Sequence, residues 1–257
     1  MNKDNFSEFY FSQIQVEMPV DETYKENIPH YVLAAKAQAQ ITNACIYIMD
    51  YYEKKFVYIT EKERIMCGYS KEEIEVMGID FFAKILHPDD VELFNTINYL
   101  GFDFFYNQID FSQRHNFWAT YDLRVITKSG EVELLNLRSI PFLVDERGNI
   151  ILMMVQKDIS TSAKSGNLKI FSIAEQKYYQ FCKREKRFVP LKQRLLNENE
   201  KQVLKLLSQG LANKEVADML EMRLHTINYY NRSILDKLNV TNMKEAILLF
   251  AQRGELL

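Results

Sequence analysis

Between Leu196 and Leu257 the chain reads LNENEKQVLKLLSQGLANKEVADMLEMRLHTINYYNRSILDKLNVTNMKEAILLFAQRGELL, four short amphipathic patterns separated by tight turns. Helices this short gain most of their stability by burying their apolar faces against one another, so the stretch reads as one compact helical unit. Asn197 is placed to cap the first helix, with Glu200 at the reciprocal capping distance. Val203, Leu204 and Leu207 form its apolar stripe, and Gly210 falls where a left-handed residue closes a helix. Asn213 is read as the cap of a second helix with Val216, Ala217 and Leu220 inward; the small Ala217 lets two helices cross closely. The third helix runs to about Leu238. Ile227, Tyr230, Ile234, Leu235 and Leu238 recur at helical spacing on its buried side, and His225, Asn228, Tyr229 and Arg232 occupy the other. A fourth helix, about Met243 to Gln252, packs through Ala246, Ile247 and Phe250.

This segment resembles the LuxR-type four-helix DNA-binding domain, whose pattern runs L-T-x-R-E, G-x-x-N-K-E-I-A, T-V-K-x-H and K-L-x-V. The counterparts here are Leu196 and Glu200, then Gly210 with Asn213-Lys214-Glu215-Val216-Ala217, then Thr226-Ile227, then Lys237-Leu238-Asn239-Val240. The resemblance implies a helix-turn-helix whose third helix enters the major groove of double-stranded DNA. It places Asn228, Tyr229 and Arg232 at base-facing positions, and Lys214, Thr226, Asn213 and Lys237 at phosphate-facing ones. Four departures stand out. Asn228 replaces the family's usual Lys and Tyr230 its usual His. Glu221 replaces a turn Gly, at a cost of about 1 kcal/mol if the left-handed conformation is kept. Arg223 replaces a Ser cap, at a further cost of about 1 kcal/mol. They leave a second reading, an interaction or scaffold module with a degenerate DNA reader.

Charge divides the chain. Residues 1–160 hold 15 Lys and Arg against 25 Asp and Glu, and residues 161–257 hold 17 against 10. An acidic front and a basic back suit a regulatory part joined to one that meets phosphates. Three separated cysteines suggest neither a disulfide framework nor a metal motif. Neither a stretch of 18 apolar residues nor a signal-peptide pattern occurs, so a cytoplasmic protein with no membrane partner is expected.

The first 160 residues read as an α+β domain. Residues 1–27 are polar with scattered aromatics, a mobile arm or partial helix, and 29–42 favour helix. Strands are expected at 45–50 and 56–60, then short helices near 61–66, 71–77, 81–85 and 89–98. Three antiparallel strands follow, at 118–127, 131–144 and 150–159. A receiver domain would need alternating parallel strands and helices, which the pattern lacks. With Gly68-Tyr69-Ser70-Lys71-Glu72-Glu73, His87-Pro88-Asp89-Asp90, Leu123-Arg124-Val125 leading to Gly130, Asp145-Glu146-Arg147-Gly148 and Asp158-Ile159-Ser160, this order resembles a PAS domain over about residues 42–160. The chain thus divides into an N-terminal arm and helix (1–41), a PAS domain (42–160), a basic β-hairpin-like connector (161–195) and the helical domain (196–257). In the connector, residues 168–173 and 178–182 read as two strands around a turn, followed by the run Lys183-Arg184-Glu185-Lys186-Arg187.

No cofactor is predicted; the PAS resemblance leaves room for a small apolar ligand and requires none. His87 is explained by a Pro-started acidic turn better than by haem ligation. His115 reads as part of a polar surface loop, and Cys67 lacks the surroundings of a flavin-reactive thiol. Phe81, Phe82, Phe94, Phe102, Phe104, Phe105, Phe111 and Phe117 read as core packing. With no catalytic constellation or phosphate loop, an enzyme is not expected. The resemblances together imply a transcriptional regulator with a sensory or dimerising front. It would act as a homodimer, as the resemblances imply, pairing through the fourth helix of the reader or through residues 31–42, where Val32, Leu33 and Ile41 either meet a second copy or pack against their own sheet.

Overall fold

The computed structural model describes residues 6–14, 22–60, 66–191, 196–238 and 240–252. The chain divides into two compact units, one of Met1–Ser160 with Lys164–Leu191, the other of Thr161–Ala163 with Lys192–Leu257. The expected helix near 61–66 lies almost wholly outside the described residues. No described helix is long and apolar enough to cross a membrane.

The first unit is built on one antiparallel sheet. Helices α1 (Phe6–Ser12) and α2 (Tyr24–Thr42) precede strands β1 (Cys45–Asp50) and β2 (Lys55–Ile59). Helices α3 (Lys71–Met77), α4 (Asp80–Ile85) and α5 (Val91–Asp103) come next, then β3 (Phe117–Ile126), β4 (Val132–Val144) and β5 (Ile150–Ile159). These five strands lie in the order β2-β1-β5-β4-β3. Helices inserted between the second and third strands of such a sheet give the layout the PAS resemblance implies. Strand β1 is buried on both faces and alternates accordingly. Cys45, Tyr47 and Met49 join the main core with α1 and α3–α5, whereas Ile46 and Ile48 pack with Ala35 and Ala39 of α2. Within the N-terminal arm, Phe6–Ser12 is therefore a helix, with Phe6, Tyr10 and Phe11 buried. Helix α2 begins five residues ahead of the expected start, because Pro29 sits inside it rather than opening it.

The motifs that suggested this fold hold its turns. Ser70 and Glu73 form a reciprocal capping box at the start of α3, and Glu73 also pairs with Lys128 at 2.6 Å. His87 caps the Pro88–Asp90 turn, its Nδ1 accepting from the Asp89 N–H at 3.3 Å. Asp90, 1% exposed, accepts from the Arg124 backbone N–H at 2.8 Å and from its guanidinium. Burial alone would push the Asp90 carboxyl up, but the hydrogen bonds from Arg124 and Ser165 hold it below the usual range.

Two local readings change. The polar stretch around His115 is anchored by a buried arginine: Arg114 donates to the carbonyls of Phe105 and Gly148 and lies over the Tyr106 ring. His115 itself is exposed. Phe111 is 48% exposed, so it leaves the core group, while Phe81, Phe94, Phe102, Phe104, Phe105 and Phe117 are buried.

The sheet does not stop at β5. Strands β6 (Gly166–Ser172), β7 (Lys177–Cys182) and β8 (Arg187–Pro190) extend it beyond β3, giving the order β2-β1-β5-β4-β3-β6-β7-β8. The connector therefore carries a third strand beyond the two expected. Phe188 is the reason: it is 5% exposed and packs edge-on to Phe104 and Phe181 at 5.2 and 5.6 Å. The basic run becomes the exposed turn between β7 and β8, and Pro190 sits where a missing N–H is tolerated, on the edge strand.

The second unit is four helices, α6 (Glu198–Ser208), α7 (Asn213–Met219), α8 (Leu224–Leu238) and α9 (Met243–Gln252). Its core collects Leu196, Val203, Leu204, Val216, Ala217, Ile227, Ile234, Leu238, Ala246 and Phe250.

Candidate nucleic-acid interface

Local chemistry fixes the helices before they pack. The Glu200 N–H donates to Asn197 Oδ1 at 2.9 Å and the Asn197 N–H to Glu200 Oε2 at 2.7 Å, the capping box expected from sequence. Gly210 closes α6 with φ +89°. The second cap shifts by one residue. Ala212 precedes α7, its N–H donating to Glu215 at 2.6 Å, and Asn213 is the first helical residue. The Asn213 side chain is thereby freed for another use.

The turn from α7 to α8 is a Schellman motif: the Met222 N–H reaches the Ala217 carbonyl at 2.9 Å and the Glu221 N–H the Asp218 carbonyl at 3.3 Å. This geometry needs a left-handed residue, and Glu221 supplies it with φ +55°. The conformation that glycine usually provides is retained and the strain is accepted.

An asparagine cluster ties α7 to α8. Asn213 Nδ2 donates to Asn228 Oδ1 and Asn231 Nδ2 donates to Asn213 Oδ1, each at 3.2 Å. Asn231 carried no signal in the sequence pattern, because the pairing depends on the crossing of two helices. On the outer side of α8, His225, Asn228, Tyr229 and Arg232 are all exposed, with Tyr229 at 66%. Thr226 is half-buried near the start of the same helix, and Lys214 is exposed on α7. Lys214, Arg223 and Arg232 make no ion pair among the described residues.

Lys237 differs from the other candidate phosphate contacts. Its Nζ lies 2.7 Å from Glu200 Oε2, and Ser233 Oγ donates to Glu200 Oε1 at 2.7 Å. Glu200 is 1% exposed. Burial pushes its carboxyl up, but Lys237, Ser233 and the Asn197 N–H together outweigh that and hold it below the usual range. Thus one acid caps α6 and locks it to α8. The sequence signalled the cap; the lock needs the fold. Tyr230, where the family has His, accepts from Asn199 Nδ2 at 3.0 Å, a further tie between the same two helices.

The surface this leaves is a projecting helix with amides, a phenol and an unpaired guanidinium on its free side. Asparagine and arginine are the side chains that read adenine and guanine edges by paired hydrogen bonds. Residues 194–250 match the family model described as bacterial regulatory proteins, luxR family. The putative positive transcription regulator of virulence factors BvgA, from Bordetella pertussis, is 40% identical over 62 residues, which cover 24% of this chain and 29% of that protein. The nitrate/nitrite response regulator protein NarP of Escherichia coli is 41% identical over 59 residues, 23% of this chain and 27% of that protein. The chain therefore spans less than a third of the length of either relative. A crystal structure of a phage VqmA–DPO complex aligns over 91% of this chain and 92% of that one, at 17% identity and a TM-score of 0.31. The capped helices, the left-handed turn and the sequence match agree: the C-terminal unit is a helix-turn-helix domain of the LuxR family of bacterial regulatory proteins.

Proposed function

We propose that the chain is a sequence-specific, DNA-binding transcriptional regulator that works in the cytoplasm as a homodimer, its PAS-like front unit pairing the chains and sensing a signal. The observation that carries this reading is the outer side of α8, where Asn228, Tyr229 and Arg232 stand exposed together on a LuxR-family unit. Arg232 pairs with the O6 and N7 of a guanine, Asn228 reads a neighbouring base while Asn213 steadies it, and Tyr229 packs on a thymine methyl. Lys214, Thr226 and Asn213 take phosphates at the edge of the groove, with Lys237 behind them, shared with Glu200. Leu33 and Ile41 of α2, 67% and 86% exposed, are free to meet a second copy, whereas Ala35 and Ala39 face the sheet. Two readers on one dimer would address two half-sites about one helical turn apart.

The test is binding-site selection from a random duplex library, followed by anisotropy titration of the selected site. Arg232→Ala should cost about 1–3 kcal/mol and relax discrimination at one base position. Lys214→Ala should weaken all duplexes alike and lower the salt slope by about 1. Failure to enrich any sequence, with both units folded, would overturn the reading in favour of a protein-interaction module.

A further inference from the structure

The main core of the first unit is not filled. A cavity of about 60 Å³ lies between the sheet and α4–α5. Phe82, Phe94, Phe102 and Phe105 form apolar walls, so the cavity could pass for imperfect packing. Its floor argues otherwise.

The sheet register explains what that floor carries. Cys45, Lys157, Leu137 and Tyr121 pair in sequence across β1, β5, β4 and β3, and Tyr47, Val155, Ser139 and Ala119 form the adjacent rung. The core-facing positions of β5 are thus Met153, Val155 and then Lys157, a lysine where the pattern calls for an apolar residue. Lys157 is 3% exposed and lines the cavity. No described carboxylate lies within ion-pair distance of it; its partner is the Cys67 thiol, with 3.6 Å between Nζ and Sγ. Burial pushes that thiol up, against the pull of Lys157, so it remains a neutral neighbour rather than a counter-charge. A buried ammonium without an opposite charge is costly, and such groups are kept where something else supplies the charge.

Two phenols share the cavity with it. The hydroxyls of Tyr47 and Tyr121 make no hydrogen bond among the described residues, unlike those of Tyr10 and Tyr51, which bond to each other at 3.0 Å. Burial raises both Tyr47 and Tyr121, which keeps them protonated and able to donate. The polar groups on the floor are therefore an ammonium and two phenol O–H donors, and the rest of the lining is apolar apart from Asn98, Ser139 and the hydroxyl pair of Tyr10 and Tyr51. One water needs about 10–15 Å³ of such space, so 60 Å³ admits roughly four to six non-hydrogen atoms.

We propose that this cavity is the binding site for a small monocarboxylate of three or four carbons, its carboxylate held by Lys157 and the hydroxyls of Tyr47 and Tyr121 and its hydrocarbon or keto end lodged among the phenylalanines. The anion supplies the charge that Lys157 lacks, through hydrogen bonds strengthened by that charge. Haem and flavin are far beyond this volume, and a dicarboxylate would bury a second charge against Phe94 and Phe102, where the lining offers no second cation. This site differs from the DNA-facing helix and stands or falls independently of it.

Isothermal titration calorimetry on the full chain tests it, with propionate, butyrate and pyruvate set against the isosteric propionamide and butyramide. The acids should bind at least about tenfold more tightly than their amides. Lys157→Met should remove that preference, and Tyr121→Phe should weaken the acids about three- to tenfold while the protein melts as a folded unit. No heat from any acid, equal affinity for acid and amide, or undiminished acid binding in folded Lys157→Met would each overturn the proposal. Should Lys157→Met fail to fold, Tyr121→Phe decides, and acid binding unchanged in that variant would overturn it equally.

Discussion

Glu200→Ala separates the two jobs of one carboxylate. The native side chain accepts from Asn197, Ser233 and Lys237 while 1% exposed. The alanine variant leaves the Lys237 ammonium, whose side chain is 20% exposed, without its partner. It also strands the Asn197 N–H and the Ser233 hydroxyl. Losing one side of a buried pair typically costs about 3–5 kcal/mol. At roughly 0.05–0.15 kcal/mol per residue, a unit of this size holds on the order of 3–10 kcal/mol in all. The variant should therefore lose about a third or more of the stability of the second unit. The protein's single tryptophan, Trp118, lies in β3, so its fluorescence follows the first unit, whereas helical circular dichroism reports both units, and its change without a Trp118 change reports the second. Urea melting should show an early loss of helix with the Trp118 transition in place. The wild type adds a pH signature. The folded Glu200 carboxyl is depressed, so its contribution is present above the ordinary glutamate range and fades as pH falls through the folded value. Glu200→Ala should flatten that acid limb. A helical transition within about 0.5 kcal/mol of wild type, the scatter of ordinary surface substitutions, would refute the reasoning.

Two further changes test backbone strain. Glu221→Gly should stabilise the second unit by about 1 kcal/mol in urea melting, since φ +55° suits glycine better than glutamate; an unchanged midpoint would mean the turn relaxes without cost. Gly148→Ala should destabilise the first unit by about 2 kcal/mol or more, because a Cβ there meets Phe111 Cβ at 2.6 Å at φ +86° and presses on the Arg114 guanidinium; a Trp118 transition at the wild-type midpoint would contradict that.

What could be read in the sequence was whatever depends on near neighbours. The β-prone run from Cys45 to Asp50, the capping pair Asn197 and Glu200, and the helical spacing of Ile227, Ile234 and Leu238 are local signals, and they placed these elements to within a residue or two. What escaped was set by partners far along the chain. Phe188 reads as the tail of a basic run until Phe104, from another part of the fold, gives it somewhere to pack. Arg114 looks like a surface residue until Phe105 and Gly148 present carbonyls to it. Lys157 stands between Gln156 and Asp158 at the polar end of its strand, and neither its neighbours nor its spacing announce a cavity beneath it. In the reader, the exposed face of α8 was legible as a periodicity, but the Asn213–Asn228–Asn231 cluster and the Glu200–Lys237 lock follow from helix crossing.

Charge repays the same treatment. The basic half of the chain suggested a phosphate-binding reader, yet residues 161–191 hold 7 Lys and Arg against 2 Asp and Glu, while residues 192–257 hold 10 against 8. Most of the basic excess therefore belongs to the sheet extension, above all the turn at Lys183–Lys186, and the helical unit is close to neutral. Within that unit Lys201 pairs with Glu198 and Lys237 with Glu200, which leaves Lys214, Arg223 and Arg232 as the cations of α7, α8 and the turn between them that make no ion pair among the described residues. In the proposed dimer, with Lys214 and Arg223 at the edge of the groove and Arg232 within it, three such cations per copy displace the counterions of about six phosphates, giving a slope of log K against log salt of about −5. Anisotropy titrations across a salt series measure it directly. A slope nearer −10 would require cations that the helical unit does not expose in this way, and it would move the electrostatic part of recognition onto the β7–β8 turn. Replacing Lys183, Arg184, Lys186 and Arg187 with serine distinguishes the two: the slope stays near −5 if the reader binds alone and falls by several units if the turn shares the backbone.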